Sequence, residues 1–218
     1  MSSVEETLAW EAQWRPRAAA AALLGGPLLV ASLVGRAVID SGIPTDSDGA
    51  VTLVESIGGA VAGRLPGEPS LEVRQIDYLG DKTALLTLTT IGSVLGIVLT
   101  LLALTYLFRA TRARNPEISR AVGWSLAAAI ATYPVGTLLA ELGTWVAFAD
   151  FQDASDRTAA AARDIRQEGI IPSGLLLQTL GIFALAIALV LVSINAMRVG
   201  LLTRFMGILG AIIGGIVV

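Results

Sequence analysis

One continuous stretch decides the fold of this chain: LLTLTTIGSVLGIVLTLLALTYLF (85–108), RATRARNPEISR (109–120) and AVGWSLAAAIATYPVGTLLAELGTWVAF (121–148). The first run carries no charge, and at ~1.5 Å per residue it is longer than the ~30 Å hydrocarbon core of a bilayer. The joint between the two apolar runs is basic, with Arg109, Arg112, Arg114 and Arg120. Short basic loops stay on the cytoplasmic side of a membrane. The stretch therefore predicts two spanning helices joined by a cytoplasmic loop.

The composition agrees with a lipid environment. Of the 218 residues, 54% are hydrophobic and only 15% are charged, whereas about a quarter of the residues in a soluble domain are charged. The sequence contains no cysteine and no histidine, which excludes disulfides, thiolate nucleophiles and histidine-ligated metals. We therefore expect no cofactor. The partner indicated by the composition is the bilayer, and we expect no nucleic acid.

Working outward from the central stretch, apolar runs predict an all-α polytopic bundle. It has four full spans and the beginning of a fifth, near 18–39, 85–108, 121–148, 173–197 and 205–218. The last segment would extend only ~21 Å, so we expect the natural chain to continue through a complete fifth span. Pro27 and Pro134 lie centrally in the first and third spans, where proline is expected to kink a helix.

The segments outside the spans are predicted to be short helices. Residues 1–16 place Trp10 and Trp14 at helical spacing and predict an amphipathic helix on the inner surface, separate from a single transmembrane domain over 17–218. An apolar stripe over 50–61 predicts a second amphipathic helix in an outer loop, with a re-entrant hairpin as the alternative. Residues 71–79 fit a strand or a helix, and 149–168 predict a solvated helix extending the third span.

Alternation of the spans fixes the predicted orientation. The short loops assigned to the inside are basic, and both long outer loops are acidic on balance. The amino terminus is therefore predicted to be cytoplasmic. The arginine joint is also a candidate site for anionic lipid headgroups, although a topology signal alone explains the same residues.

Glu141 is the only carboxylate inside a predicted span. Because an ionisable residue within the membrane needs a partner or water, we treat it as a candidate site. Arg36 lies at a similar depth on another span, so we predict that the two pair or that Glu141 lines a wet cavity. A structural polar contact, or a glutamate hydrated at the headgroups, is the alternative. Asn195, near the inner end of the fourth span, is predicted to bond a neighbouring helix.

The stretch SINAMRVGLLTRFMGILG (193–210) resembles the cytoplasmic joint of uncharacterised bacterial multi-pass membrane proteins. This resemblance implies a location in the bacterial inner membrane and no particular activity. The sequence has no phosphate-binding GxxxxGK[ST] and no GxSxG nucleophile motif, so we expect no enzyme. We predict an accessory or interaction component that binds another membrane protein or itself. The alternative is a small-solute or ion transporter, which a polar cavity reaching Glu141 would favour over a dry, tightly packed bundle.

Overall fold

The computed structural model describes residues 3–45, 71–154 and 169–217, and these ranges contain helices and no strand. The helices are α1 (Ser3–Ser41), α2 (Leu71–Asp81), α3 (Thr83–Arg114), α4 (Arg120–Asp153), α5 (Ile170–Arg198) and α6 (Arg204–Val217). The predictions for 50–61 and most of 149–168 lie outside the described residues. The ambiguous stretch 71–79 is helical, within α2, and α4 continues five residues beyond the predicted end of the third span at Phe148, to Asp153.

Four helices, α1, α3, α4 and α5, are long and apolar enough to cross a membrane. At most 28% of the most apolar window of each is buried within the protein, so most of this apolar surface faces outward. Large side chains stand exposed along all four helices, including Leu23, Leu33, Leu88, Val146 and Leu176. Such continuous apolar surface is unstable in water and is expected against lipid. The structure confirms the all-α prediction with four such helices, while α6, at 14 residues, is not among them.

The first helix differs from its prediction. The predicted surface helix over 1–16 and the first span form one helix of 39 residues, which continues through Pro16 and Pro27. Its first turns lie against the end of α3: Trp10 stacks on Tyr106 with ring centroids 5.6 Å apart, and the Arg114 guanidinium donates to Glu11. These contacts give the amino-terminal turns a partner on α3, so the helix continues where the sequence predicted a boundary.

The long helices pack as two closely associated pairs, α1 with α3 and α4 with α5. Glycines allow this close approach. In the first pair, a Cβ added to Gly96 would lie 3.0 Å from the carbonyl oxygen of Gly25. In the second, a Cβ on Gly136 would lie 2.7 Å from the Cα of Gln178. A buried apolar cluster then joins α3, α4 and α5, including Ile97, Leu101, Val122, Leu126 and Val192.

The two ends of the bundle differ in charge. At one end, here called the basic end, α1 begins, α3 passes into α4, and α5 passes into α6, and this end carries the arginine joint. Helix α2 lies at the opposite end, where Val73 and Ile76 pack against Phe148 and Phe151 of α4. There the Tyr78 hydroxyl also donates to the Ile39 carbonyl at 3.1 Å. The fold thus places the arginine joint at the end of the bundle opposite α2.

Candidate functional site

The predicted pair of intramembrane charges forms. Arg36 Nη1 of α1 donates to Glu141 Oε1 of α4 at 3.0 Å, and the two side chains are 41% and 21% exposed. Arg36 Nε also lies 3.8 Å from the Asp40 carboxylate, one turn along α1. Since α1 packs on α3 and α4 packs on α5, the Arg36–Glu141 contact links one helix pair to the other.

This ion pair borders a cavity of about 300 Å³ to which all four long helices contribute. Eight of its ten lining residues have polar side chains: Ser32 and Arg36 from α1, Thr89, Thr90 and Ser93 from α3, Thr137 and Glu141 from α4, and Gln178 from α5. We call this space the polar cavity. All eight residues lie in the half of the bundle away from the basic end, so the polar groups share a similar depth.

Two of the cavity hydroxyls are already satisfied by their own helices. Thr89 Oγ1 donates to the Leu86 carbonyl and Thr137 Oγ1 to the Tyr133 carbonyl, each at 2.9 Å. This is the usual way in which threonine is accommodated within a helix. These two residues therefore make the cavity lining more polar, but their hydroxyl protons are already used in hydrogen bonds within their own helices.

The other cavity side chains retain hydrogen-bonding capacity. Ser32 and Thr90 are 8% and 5% exposed, and neither hydroxyl bonds to any described residue of the chain. The Gln178 amide likewise has no partner within the described ranges. Because these side chains border the open space of the polar cavity, water or a polar solute held there can bond to them. The polar cavity thus has the chemistry of a hydrated or solute-binding site.

The remaining predicted site residues lie elsewhere. Asn195 Nδ2 donates to the Leu191 carbonyl of its own helix at 2.7 Å, so its amide bonds within α5 and not to the neighbouring helix that the sequence predicted. Pro134 lines a different groove, nearer the basic end. Pro27 lies within α1 and does not line the polar cavity.

The arginines of the joint have different surroundings. Arg114 forms a two-pronged ion pair with Glu11, with Nη2 2.9 Å from Oε2. Arg109 lines the groove that contains Pro134. Arg112 and Arg120 are exposed and make no salt bridge with any residue in the described ranges.

Sequence reasoning identified the two charges and missed the uncharged part of the site. The missed residues are Ser32, Thr89, Thr90, Ser93, Thr137 and Gln178. A usable signal was present, because Ser32 and Arg36, Thr89 and Ser93, and Thr137 and Glu141 are each four residues apart. Residues at that spacing share one helix face, so polar pairs recurring in several apolar spans indicate a common polar surface.

No family model matches the chain, and comparisons with curated proteins and with solved structures find none similar to it. The resemblance of residues 193–210 to bacterial multi-pass proteins remains a prediction.

Proposed function

We propose that this membrane protein binds a small polar solute or ion in the polar cavity as part of its transport across the membrane. The observation that carries the proposal is the convergence of side chains from four apolar helices on one cavity that contains an ion pair. Charged and polar side chains are costly in an apolar bundle. The presence of these polar side chains at one depth of the bundle is explained if a ligand or water binds to them.

The charges at the site favour a zwitterionic solute. Arg36 offers a guanidinium that can bind a carboxylate, and Glu141 offers a carboxylate that can bind an ammonium group. Ser32, Thr90 and Gln178 supply neutral donors and acceptors around them. A volume of about 300 Å³ is at the small end of ligand pockets, which suits a molecule the size of a simple amino acid.

Cysteine accessibility tests whether the cavity is wet without knowledge of the solute. The chain has no cysteine, so a single introduced thiol is labelled without background. We expect Ser93→Cys, which lines the cavity, to react with a membrane-impermeant charged thiol reagent. Leu95→Cys, on an apolar position 51% exposed to the surroundings, should stay unlabelled because lipid excludes the reagent. A Ser93→Cys protein as unreactive as Leu95→Cys, with an Asp81→Cys control labelled, would contradict the proposal.

Uptake then tests the chemistry. Proteoliposomes containing the wild-type chain should accumulate label from a mixture of radiolabelled amino acids above the level of empty liposomes. Glu141→Gln and Arg36→Gln should reduce uptake to the empty-liposome level, while Asp40→Asn should retain it, because Asp40 lies outside the cavity lining. Uptake that is unaffected by both cavity substitutions would exclude the ion pair from the pathway.

A non-enzymatic accessory role is the second candidate. It is supported by α1, which packs along α3 alone among the long helices and leaves several large apolar side chains exposed. A second copy or another membrane protein could cover that face. Light scattering of the purified protein distinguishes these cases: a stable oligomer, together with an unreactive Ser93→Cys, favours the accessory role.

The proposal also includes the location of the protein and its orientation in the membrane. We infer a bacterial inner membrane, with the basic end and the amino terminus in the cytoplasm, because arginine-rich connections are retained inside. We further infer that α6 is a fifth apolar segment within the membrane. Helix α6 folds back along α5, where a Cβ on Gly210 would lie 3.2 Å from the Ser193 Cβ, as expected for the next antiparallel helix.

A further inference from the structure

A second space lies in the other half of the bundle and differs chemically from the polar cavity. It is a groove of about 500 Å³ between the amino-terminal half of α1 and the middle of α4, with α3 as its floor. Its walls include Trp10 and Trp14 of α1, Leu102 and Tyr106 of α3, and Ile130 of α4. We call it the apolar groove. Its lining is almost wholly hydrophobic, with one charged residue, Arg109, at its end.

The depth of the apolar groove matches one leaflet of a bilayer. Along α3 its lining runs from Val98 to Arg109, which at ~1.5 Å per residue is about 16 Å. Half of the ~30 Å hydrocarbon core is about 15 Å. A groove of this length, open along the side of a spanning helix, therefore has the dimensions of a single lipid acyl chain.

The charges at the mouth specify the headgroup. Arg109 is exposed and has no carboxylate partner within the described ranges, since the nearby Glu11 is engaged by Arg114. The Arg17 guanidinium lies 5.3 Å from the Trp14 ring centre, which places a second cation beside the groove. Tryptophan and tyrosine, here Trp10, Trp14 and Tyr106, are the residues typical of the headgroup level. An anionic lipid headgroup complements the two arginines, whereas a cationic headgroup would be repelled by them.

We propose that the apolar groove binds one anionic phospholipid of the leaflet at the basic end, with an acyl chain along α3 and its phosphate on Arg109. The bound lipid would fill the space between α1 and α4 in the half of the bundle where the ion pair does not link them. The site is separate from the polar cavity, so it does not depend on the transport proposal.

Native mass spectrometry of the purified protein tests this site with phosphatidylglycerol and phosphatidylcholine as probes. The wild-type protein should retain one phosphatidylglycerol in preference to phosphatidylcholine. Arg109→Gln should lower its retention about fivefold, the effect of one basic residue on an anionic lipid, and Arg109→Lys should largely preserve it. Arg112→Gln is the matched control, because it removes an equal charge from the same helix end but outside the groove, and should have little effect.

A groove-filling substitution tests the acyl-chain part. Thr105→Phe should reduce retention of phosphatidylglycerol, while Leu95→Phe, away from the groove, should not. Equal losses for Arg109→Gln and Arg112→Gln, equal retention of the two lipids, or unchanged retention by Thr105→Phe would each overturn the proposal. A second protein chain found in the groove, detected as a dimer that excludes lipid, would overturn it as well.

Discussion

Neutralising Glu141 should destabilise the bundle measurably, because it leaves Arg36 with only the longer, more exposed contact to Asp40. Removing one partner of a fully buried pair costs about 3–5 kcal/mol, and exposed pairs are worth about 0–1 kcal/mol. With side chains 41% and 21% exposed, this pair is intermediate. We therefore expect Glu141→Gln to lower the free energy of unfolding by about 1–3 kcal/mol.

Asp40→Asn is the matched control for this change. Asp40 also faces Arg36, but at 3.8 Å and with a side chain 54% exposed, so its removal should cost no more than about 0.5 kcal/mol, the value of an exposed helical pair. Both variants neutralise one carboxylate with almost no change in volume. The difference between them therefore reports the Arg36–Glu141 contact and not a general loss of negative charge.

A double-mutant cycle measures the pair itself. Unfolding by SDS in mixed micelles, followed by tryptophan fluorescence, gives free energies for Glu141→Gln, Arg36→Gln and the double variant. We expect a coupling energy of about 1–2 kcal/mol, with the double variant more stable than the sum of the single losses predicts. A coupling energy below about 0.3 kcal/mol, or an Asp40→Asn variant as unstable as Glu141→Gln, would refute the reasoning.

Three further predictions concern packing, the amino-terminal contact and orientation. Gly136→Ala should lower the free energy of unfolding by about 1–3 kcal/mol, because its Cβ would meet the α5 backbone. Gly26→Ala places its Cβ within 4 Å of no other helix but directly before Pro27, so it should change the free energy of unfolding by less than about 1 kcal/mol. Equal losses for the two variants in unfolding titrations would contradict this. Arg114→Gln should cost about 0.5–1 kcal/mol through its ion pair with α1 and speed proteolysis of the amino-terminal turns, whereas Arg112→Gln should match the wild type. In intact cells, Asp81→Cys should react with an impermeant thiol reagent and Arg112→Cys only after lysis; the reverse pattern would invert the proposed topology.

The positions of the long apolar helices were the most predictable part of the fold. The predicted second span, 85–108, lies inside α3, and the predicted fourth, 173–197, lies inside α5, which extends only a few residues further at each end. In lipid, every backbone polar group of a span must be hydrogen-bonded within the helix. This requirement applies to each residue, so a spanning helix can be recognised from a short window of sequence. The continuity of α1 was not predictable in this way, since it depends on Trp10 meeting Tyr106 on a distant part of the chain.

The candidate site likewise has a part that could be predicted from local sequence and a part that could not. The Arg36–Glu141 contact was predictable because charges in apolar spans are rare and must find partners. Thr89 and Thr137 carry no such signal individually, because threonine commonly bonds to its own helix in a span. Whether Ser32 and Gln178 face the same cavity depends on the rotation and packing of α1 and α5. Those are properties of the assembled bundle.

Chain topology explains why the polar residues converge. In α1 and α4, the cavity residues lie in the carboxy-terminal half of the helix, as with Arg36 and Glu141. In α3 and α5 they lie near the amino-terminal end, as with Thr90 and Gln178. Antiparallel neighbours place the late part of one helix beside the early part of the next, so these opposite biases bring all four sets to one depth. The alternation is therefore what antiparallel packing requires of residues that line one cavity, and it explains how positions far apart in the sequence come to lie at one depth.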